Sequence, residues 1–167
     1  MIGKFDLTMI RKFLKPGEFH MTSKSVILET LVGSCVCVCL YNIKNGWAAM
    51  NHFLRDRPIG DGAVDIGQFG STSTRHIVDK LMAIDDVPSH YRAMVFGGAA
   101  VIKTVARDSD IGSRNIDAAL QVLADARIPI TKKEVSGKRG RRVIFDTEAG
   151  TVTWRFAGDV GGRVRGE

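Results

Sequence analysis

The spacing of apolar and polar residues changes several times along the chain, and each change marks a predicted element. Residues 18 to 29 read as one strand or a pair of strands. The turn-like Gly33 and Ser34 follow, then a Val- and Cys-rich run from Cys35 to Tyr41. "NIKNG" carries turn chemistry and "WAAMNHFL", residues 47 to 54, is apolar again, so the two runs predict a β-hairpin. The stretch from Arg55 to Gly70, with five Gly or Pro and no periodicity, predicts a loop of about sixteen residues, a length that is usually functional or disordered. "STSTRHIVDKLMAI" places Ile77, Leu81 and Ile84 at helical spacing, with Ser and Thr available as N-caps. "YRAMVFGG" reads as a buried strand ending in glycines. "SRNIDAALQVLADARI" reads as a second helix, with Ser113 as its cap and Ile116, Ala119, Leu120, Leu123 and Ala124 on one face. "RRVIFDTEAGTVTWRF" predicts a closing hairpin. Strands and helices therefore alternate irregularly, with hairpins near both ends. That order implies an α/β or α+β single-domain sandwich, a mixed sheet with flanking helices, and not a doubly wound fold.

Composition supports one domain. At 167 residues, 44% hydrophobic and 25% charged, the chain can bury close to 70% of its unfolded surface without covalent staples. The expected division is an N-terminal extension over 1–16, a folded domain over 17–157 and a C-terminal tail over 158–167. The first residues lack the unbroken apolar core of a secretory signal, and no apolar run is long enough to span a bilayer. A cytoplasmic protein without membrane insertion is expected, with its thiols reduced. The net charge of +6 is uneven: between residues 132 and 142 Lys132, Lys133, Lys138, Arg139, Arg141 and Arg142 outweigh Glu134. Such a segment reads either as a solvated loop or as a docking surface for an acidic partner. A nucleic-acid partner is not expected, because only Trp154 and Phe156 supply nearby aromatics and no recognition motif is present.

The three cysteines of "LVGSCVCVCL" are the only ones in the chain. Residues two apart on a strand are separated by about 6.6 Å, so Cys35 and Cys39 would lie about 13 Å apart, too far to grip one zinc through bonds of roughly 2.3 Å. No metal and no cofactor are expected, and a disulfide at this spacing would be strained. Cys37 and Cys39 read as small buried hydrophobes. Cys35 follows Gly33 and Ser34 at the entry to the strand, where a thiol can reach solvent and backbone N–H groups can meet a bound oxygen. Such a thiol needs a base. His20, His76 and His90 fall on a strand, a helix and a loop. His52 is placed differently: if the hairpin loop is Asn42 to Asn45, Tyr41 faces Gly46 and Cys35 faces His52, with Cβ atoms about 5 Å apart.

"LVGSCVCVCLYN" followed by "MNHFL" resembles the chemoreceptor glutamine deamidases of the CheD family. "GEF" near the start, "VFGGAA", "IGSRN" and "GRRVIFDTEAGTV" resemble its other signature segments in the same order, over residues 17 to 157. The resemblance implies a nucleophilic Cys35, a catalytic His52 and a threonine as third member, for which Thr30 is the nearest candidate. Gly33, Ser34, Gly97 and Gly98 are then candidates for oxyanion and substrate binding. Val32 and Cys37 stand where leucine and alanine are usual in the family. The implied activity is hydrolysis of glutamine side-chain amides on chemoreceptor cytoplasmic domains, through a cysteine thioester, in chemotaxis adaptation. A CheC-type phosphatase is an implied partner. A catalytically weak module of the same fold, binding receptor or phosphatase, is the competing reading.

Overall fold

The computed structural model describes residues 9–101, 106–159 and 165–166. Two five-stranded mixed sheets face each other, and two helices cover the outer side of one of them. The first sheet contains β1 (Ile10–Phe13), β3 (Val26–Val32), β8 (Arg141–Asp146), β9 (Thr151–Phe156) and β10 (Arg165–Gly166), in that order. The second contains β2 (Phe19–Thr22), β5 (Ala48–Asn51), β4 (Val36–Asn42), β6 (Tyr91–Gly97) and β7 (Ile130–Val135). β1 pairs parallel to β3 and β7 parallel to β6, and the other neighbours are antiparallel. This is the α+β sandwich implied by the irregular order of elements.

The alternation of side chains along each central strand feeds two cores. Val36, Val38 and Leu40 of β4 point outward to meet Ile77, Val78 and Leu81 of α1 (Gly70–Met82) and Ile116, Ala119 and Leu123 of α2 (Ala106–Asp125). Cys37 and Cys39 point inward, into a layer between the sheets with Leu14, Leu28, Val32, Met50, Phe96, Phe145 and Trp154. Both thiols are fully buried, as small apolar side chains in a strand.

Several local expectations are corrected. α1 starts at Gly70, before its Ser and Thr, and Phe69 at its N-cap makes no side-chain hydrogen bond. Thr72 Oγ1 instead donates to Ile66 O, tying the helix to the preceding loop. α2 begins at Ala106, so Ser113 sits inside it and caps nothing. Residues 10–13, placed in an extension, form an edge strand, and Leu14 just after it is fully buried.

The basic segment is also not a loop. It is β7, a tight turn with Ser136 and Gly137 at positive φ, and the start of β8, which carries the chain from one sheet to the other. Its three arginines are engaged. Arg142 pairs with Glu29 at 3.0 Å and Arg139 with Asp159 at 2.8 Å, while Arg141 is only 5% exposed and stacks near Trp154 and Phe156. Half of the six cations are thus held in ion pairs or buried.

Candidate active site

Between β3 and β4 the chain crosses from one sheet to the other through Gly33, Ser34 and Cys35. Three backbone carbonyls of this turn are bonded: Gly33 O accepts from Ala99 N–H, Ser34 O from Asn115 Nδ2 and Cys35 O from Gly98 N–H. Cys35 is half-buried and borders the inter-sheet layer. It also lines a cleft of about 220 Å³ with Ser34, Leu54, Arg55, Asp56, Ile111 and Arg114. That volume is below the usual range for small-molecule sites and suits a single side chain.

His52 lies on the chain leaving β5. The hairpin register is Tyr41↔Ala48, Leu40↔Ala49 and Cys39↔Met50, and it continues to a bridge between Val36 and Phe53. His52 is thus set across from Cys37, not Cys35, two residues from the expected pairing. The cause is in the turn. Asn42 Oδ1 accepts from Lys44 N–H and Asn45 N–H, and Asn42 N–H bonds Trp47 O, so the loop occupies 43–46. Because strand side chains repeat every two residues, this slip preserves faces: Cys35 and His52 still point into the same inter-sheet layer, on a diagonal.

The backbone of His52 and one nitrogen of its imidazole are both held. The His52 N–H donates to Glu18 O at 3.0 Å, and its C=O accepts from Gly17 N–H at 2.8 Å. Thr30 reaches it from the facing sheet, with Oγ1 2.7 Å from Nδ1 and also 2.7 Å from Leu14 O. A hydroxyl has one proton, and the Leu14 carbonyl can only accept, so Thr30 donates to Leu14 and accepts from Nδ1–H. This assigns the tautomer: Nδ1 carries the proton and Nε2 carries a lone pair. Nε2 is buried and has no hydrogen-bond partner among the described residues. The arrangement leaves Nε2 as an acceptor in the layer that Cys35 borders.

Burial disfavours the charged form of both groups. Burial pushes the Cys35 thiol above its ordinary value, opposed by its own backbone N–H. Burial also lowers His52 to about 4, against the Leu14 carbonyl and Glu18, which favour its protonated form. A preformed thiolate–imidazolium pair, in which His52 would lower the Cys35 pKa, is therefore not the resting state. Iodoacetamide should alkylate Cys35 slowly at pH 7 and faster as pH rises past 9, the direction set by a raised thiol pKa. A rate already at its plateau by pH 7 would show that the ion pair forms without substrate.

Gly97 and Gly98 lie behind Cys35. Both have positive φ, and the space of their absent Cβ atoms is taken by Cys35 O and by Ile116, respectively. They admit the Cys35 carbonyl and α2, rather than an incoming helix. Among the described residues, no group of three or more His, Cys, Asp or Glu is placed to hold a metal ion. The sequence alone did not single out Leu14, Asn51 or Asn115. Asn51 Oδ1 takes the Val38 N–H in place of a backbone partner, and its Nδ2 reaches Ser73 and Thr74 of α1, which anchors the strand end before His52.

A sandwich of two mixed sheets, with a half-buried thiol at the crossover and an imidazole held by a threonine of the facing sheet, defines an α+β domain with a candidate site at that crossover. Residues 56–156 match the family described as CheD chemotactic sensory transduction. The chain is similar to the probable chemoreceptor glutamine deamidase CheD of Trichlorobacter lovleyi, 35% identical over 148 residues, covering 88% of this chain and 91% of that protein. It is also similar to the probable chemoreceptor glutamine deamidase CheD 2 of Geobacter sulfurreducens, at 33% identity over 84% of this chain and 86% of that one. A probable chemoreceptor glutamine deamidase CheD 2 of Chromobacterium violaceum is 34% identical over 89% of this chain and 73% of its own. The chain belongs to the CheD family.

Proposed function

We propose that this protein hydrolyses the side-chain amide of glutamines on chemoreceptor cytoplasmic domains, with Cys35 as nucleophile, His52 as general base and acid, and Thr30 as the residue that orients it. The observation that carries this reading is the buried, unpartnered Nε2 of His52, facing the same layer as Cys35 and fixed as an acceptor by Thr30. Nε2 takes the thiol proton as sulfur attacks the glutamine carboxamide carbon. The developing oxyanion is met by backbone N–H groups of the Ser34–Cys35 turn. The imidazolium then protonates the amide nitrogen, the C–N bond breaks and ammonia leaves a thioester. Nε2 next deprotonates a water that attacks the thioester carbon, and the C–S bond breaks. The proton returns to sulfur, which leaves glutamate and the free thiol.

A module that only binds gains nothing from an unpaired imidazole nitrogen in its interior, where an unmade hydrogen bond costs about 1–3 kcal/mol. Among the described residues no helix is long and apolar enough to cross a membrane. A CheC-type phosphatase is a second proposed partner, docking on the face that carries Cys35. Ammonia release from the receptor cytoplasmic domains of the same organism, with and without this protein, tests the reading; no release above the uncatalysed rate would contradict it.

The loop after Leu54 borders the cleft through Arg55 and Asp56. Its base is pinned, with Leu54 and Arg55 N–H groups on Gln68 O and Gly70 N–H on Arg55 O, whereas Ile59 at its far end is 93% exposed. A pinned base with an apolar outer end suits contact with a receptor helix. Removing residues 58–63 should raise KM for receptor several-fold and shift Tm by no more than about 2 °C, as expected for a surface change of about 0.5 kcal/mol. A collapse in Tm would instead make the loop part of the folded core.

A further inference from the structure

One side chain ties together the two segments that carry the thiol and the imidazole. Asn115 of α2 is fully buried, and its Nδ2 donates to Ser34 O at 3.0 Å and to Leu54 O at 2.9 Å. Ser34 immediately precedes Cys35, and Leu54 lies two residues after His52. The amide thus bridges Ser34 and Leu54, both of which line the cleft. Its reach depends on close packing: a Cβ on Gly98 or on Gly112 would run into the other's carbonyl, so the strand end and α2 meet backbone to backbone. Asn115 lies three residues beyond Gly112, on the same face of the helix.

We propose that Asn115 is a positioning residue, which orients the Ser34–Cys35 peptide so that the Cys35 N–H faces its own sulfur and the oxyanion that forms there. In a planar trans peptide the C=O and N–H point in opposite directions. Holding Ser34 O on Asn115 therefore turns the Cys35 N–H to the other side. That N–H has no other backbone acceptor among the described residues, and it lies where it favours the thiolate. The carbonyls on either side, of Gly33 and Cys35, are fixed by the backbone N–H groups of Ala99 and Gly98. Only the Ser34 carbonyl depends on a side chain. Asn115 Oδ1, by contrast, is buried without a partner among the described residues, so the residue's contribution lies in the two hydrogen bonds that Nδ2 donates. The inference rests on the deamidase reading for its catalytic consequence, but the orientation of the thiol is measurable without it.

The test uses Asn115→Leu, which keeps the bulk, and Asn115→Ala. The control is Val122→Ala, which truncates a buried residue of α2 in the helix-side core. Both Asn115 variants should lose about 10- to 100-fold in kcat on receptor domains, with KM within about twofold. The pH profile of Cys35 alkylation should move to higher pH, while Val122→Ala keeps the wild-type kcat and profile at a comparable loss in Tm. A kcat loss no larger than that of Val122→Ala, a loss confined to KM, or an unmoved alkylation profile would overturn the proposal. So would failure of both Asn115 variants to fold, because the residue would then be a structural requirement. If the wild type released no ammonia, the deamidase reading would fall, and the alkylation profiles would still decide whether Asn115 orients the thiol.

Discussion

Cys35→Ala is expected to abolish ammonia release from receptor glutamines, a loss on the order of 10⁴-fold or more, as for removal of any covalent nucleophile. Its stability should change by less than about 1 kcal/mol, since the half-buried side chain contributes little packing. The competitor is Cys37, because the observed register places that thiol, not Cys35, across from His52. Burial decides between them. Cys37 is fully enclosed between the sheets and cannot meet a substrate, whereas Cys35 lines the cleft. Cys37→Ala should therefore do the reverse: about 1 kcal/mol of lost stability from a smaller buried side chain, with turnover largely kept. An inactive Cys37→Ala beside an active Cys35→Ala would reassign the nucleophile.

His52→Gln should lower kcat by about 10²- to 10⁴-fold, the usual contribution of one proton-transfer group. It should also remove a pH dependence of folding. His52 in the folded protein is lowered to about 4 from an ordinary 6.5, so the unfolded chain binds more protons between those values. Stability from this group is complete above pH 6.5 and is lost as pH falls toward 4, by up to about 3 kcal/mol. Urea unfolding at pH 7 and at pH 4 reads this directly. If wild type and His52→Gln lose the same amount on acidification, the imidazole is not buried as a neutral group.

Much of this site could be read along the chain. The alternation of the cysteines gave the burial of Cys37 and Cys39 and the separate place of Cys35, and the hairpin gave the shared face of Cys35 and His52. Three things could not be read that way. The register depended on how Asn42 folds its own side chain into the turn, which shifts each arm by one residue. The contact of Thr30 with His52 joins different sheets, and no local period reports which strands will face each other. Leu14, whose carbonyl fixes the tautomer, follows a strand too short and too charged to stand out from an extension. The basic stretch misled for a related reason. An edge strand open to solvent is polar on both faces, so β7 carried its lysines without the apolar alternation of an inner strand. Nor does the order of residues report the burial that pushes the Cys35 thiol up and the His52 imidazole down.

The central claim is that Cys35 carries out the chemistry on receptor glutamines. Receptor cytoplasmic domains incubated with the wild type, with Cys35→Ala or with Cys37→Ala, then digested and weighed peptide by peptide, address it directly. Conversion of specific glutamines to glutamates by the wild type and by Cys37→Ala, and by neither Cys35→Ala nor buffer, is the predicted result. The same glutamines converted by Cys35→Ala would contradict it.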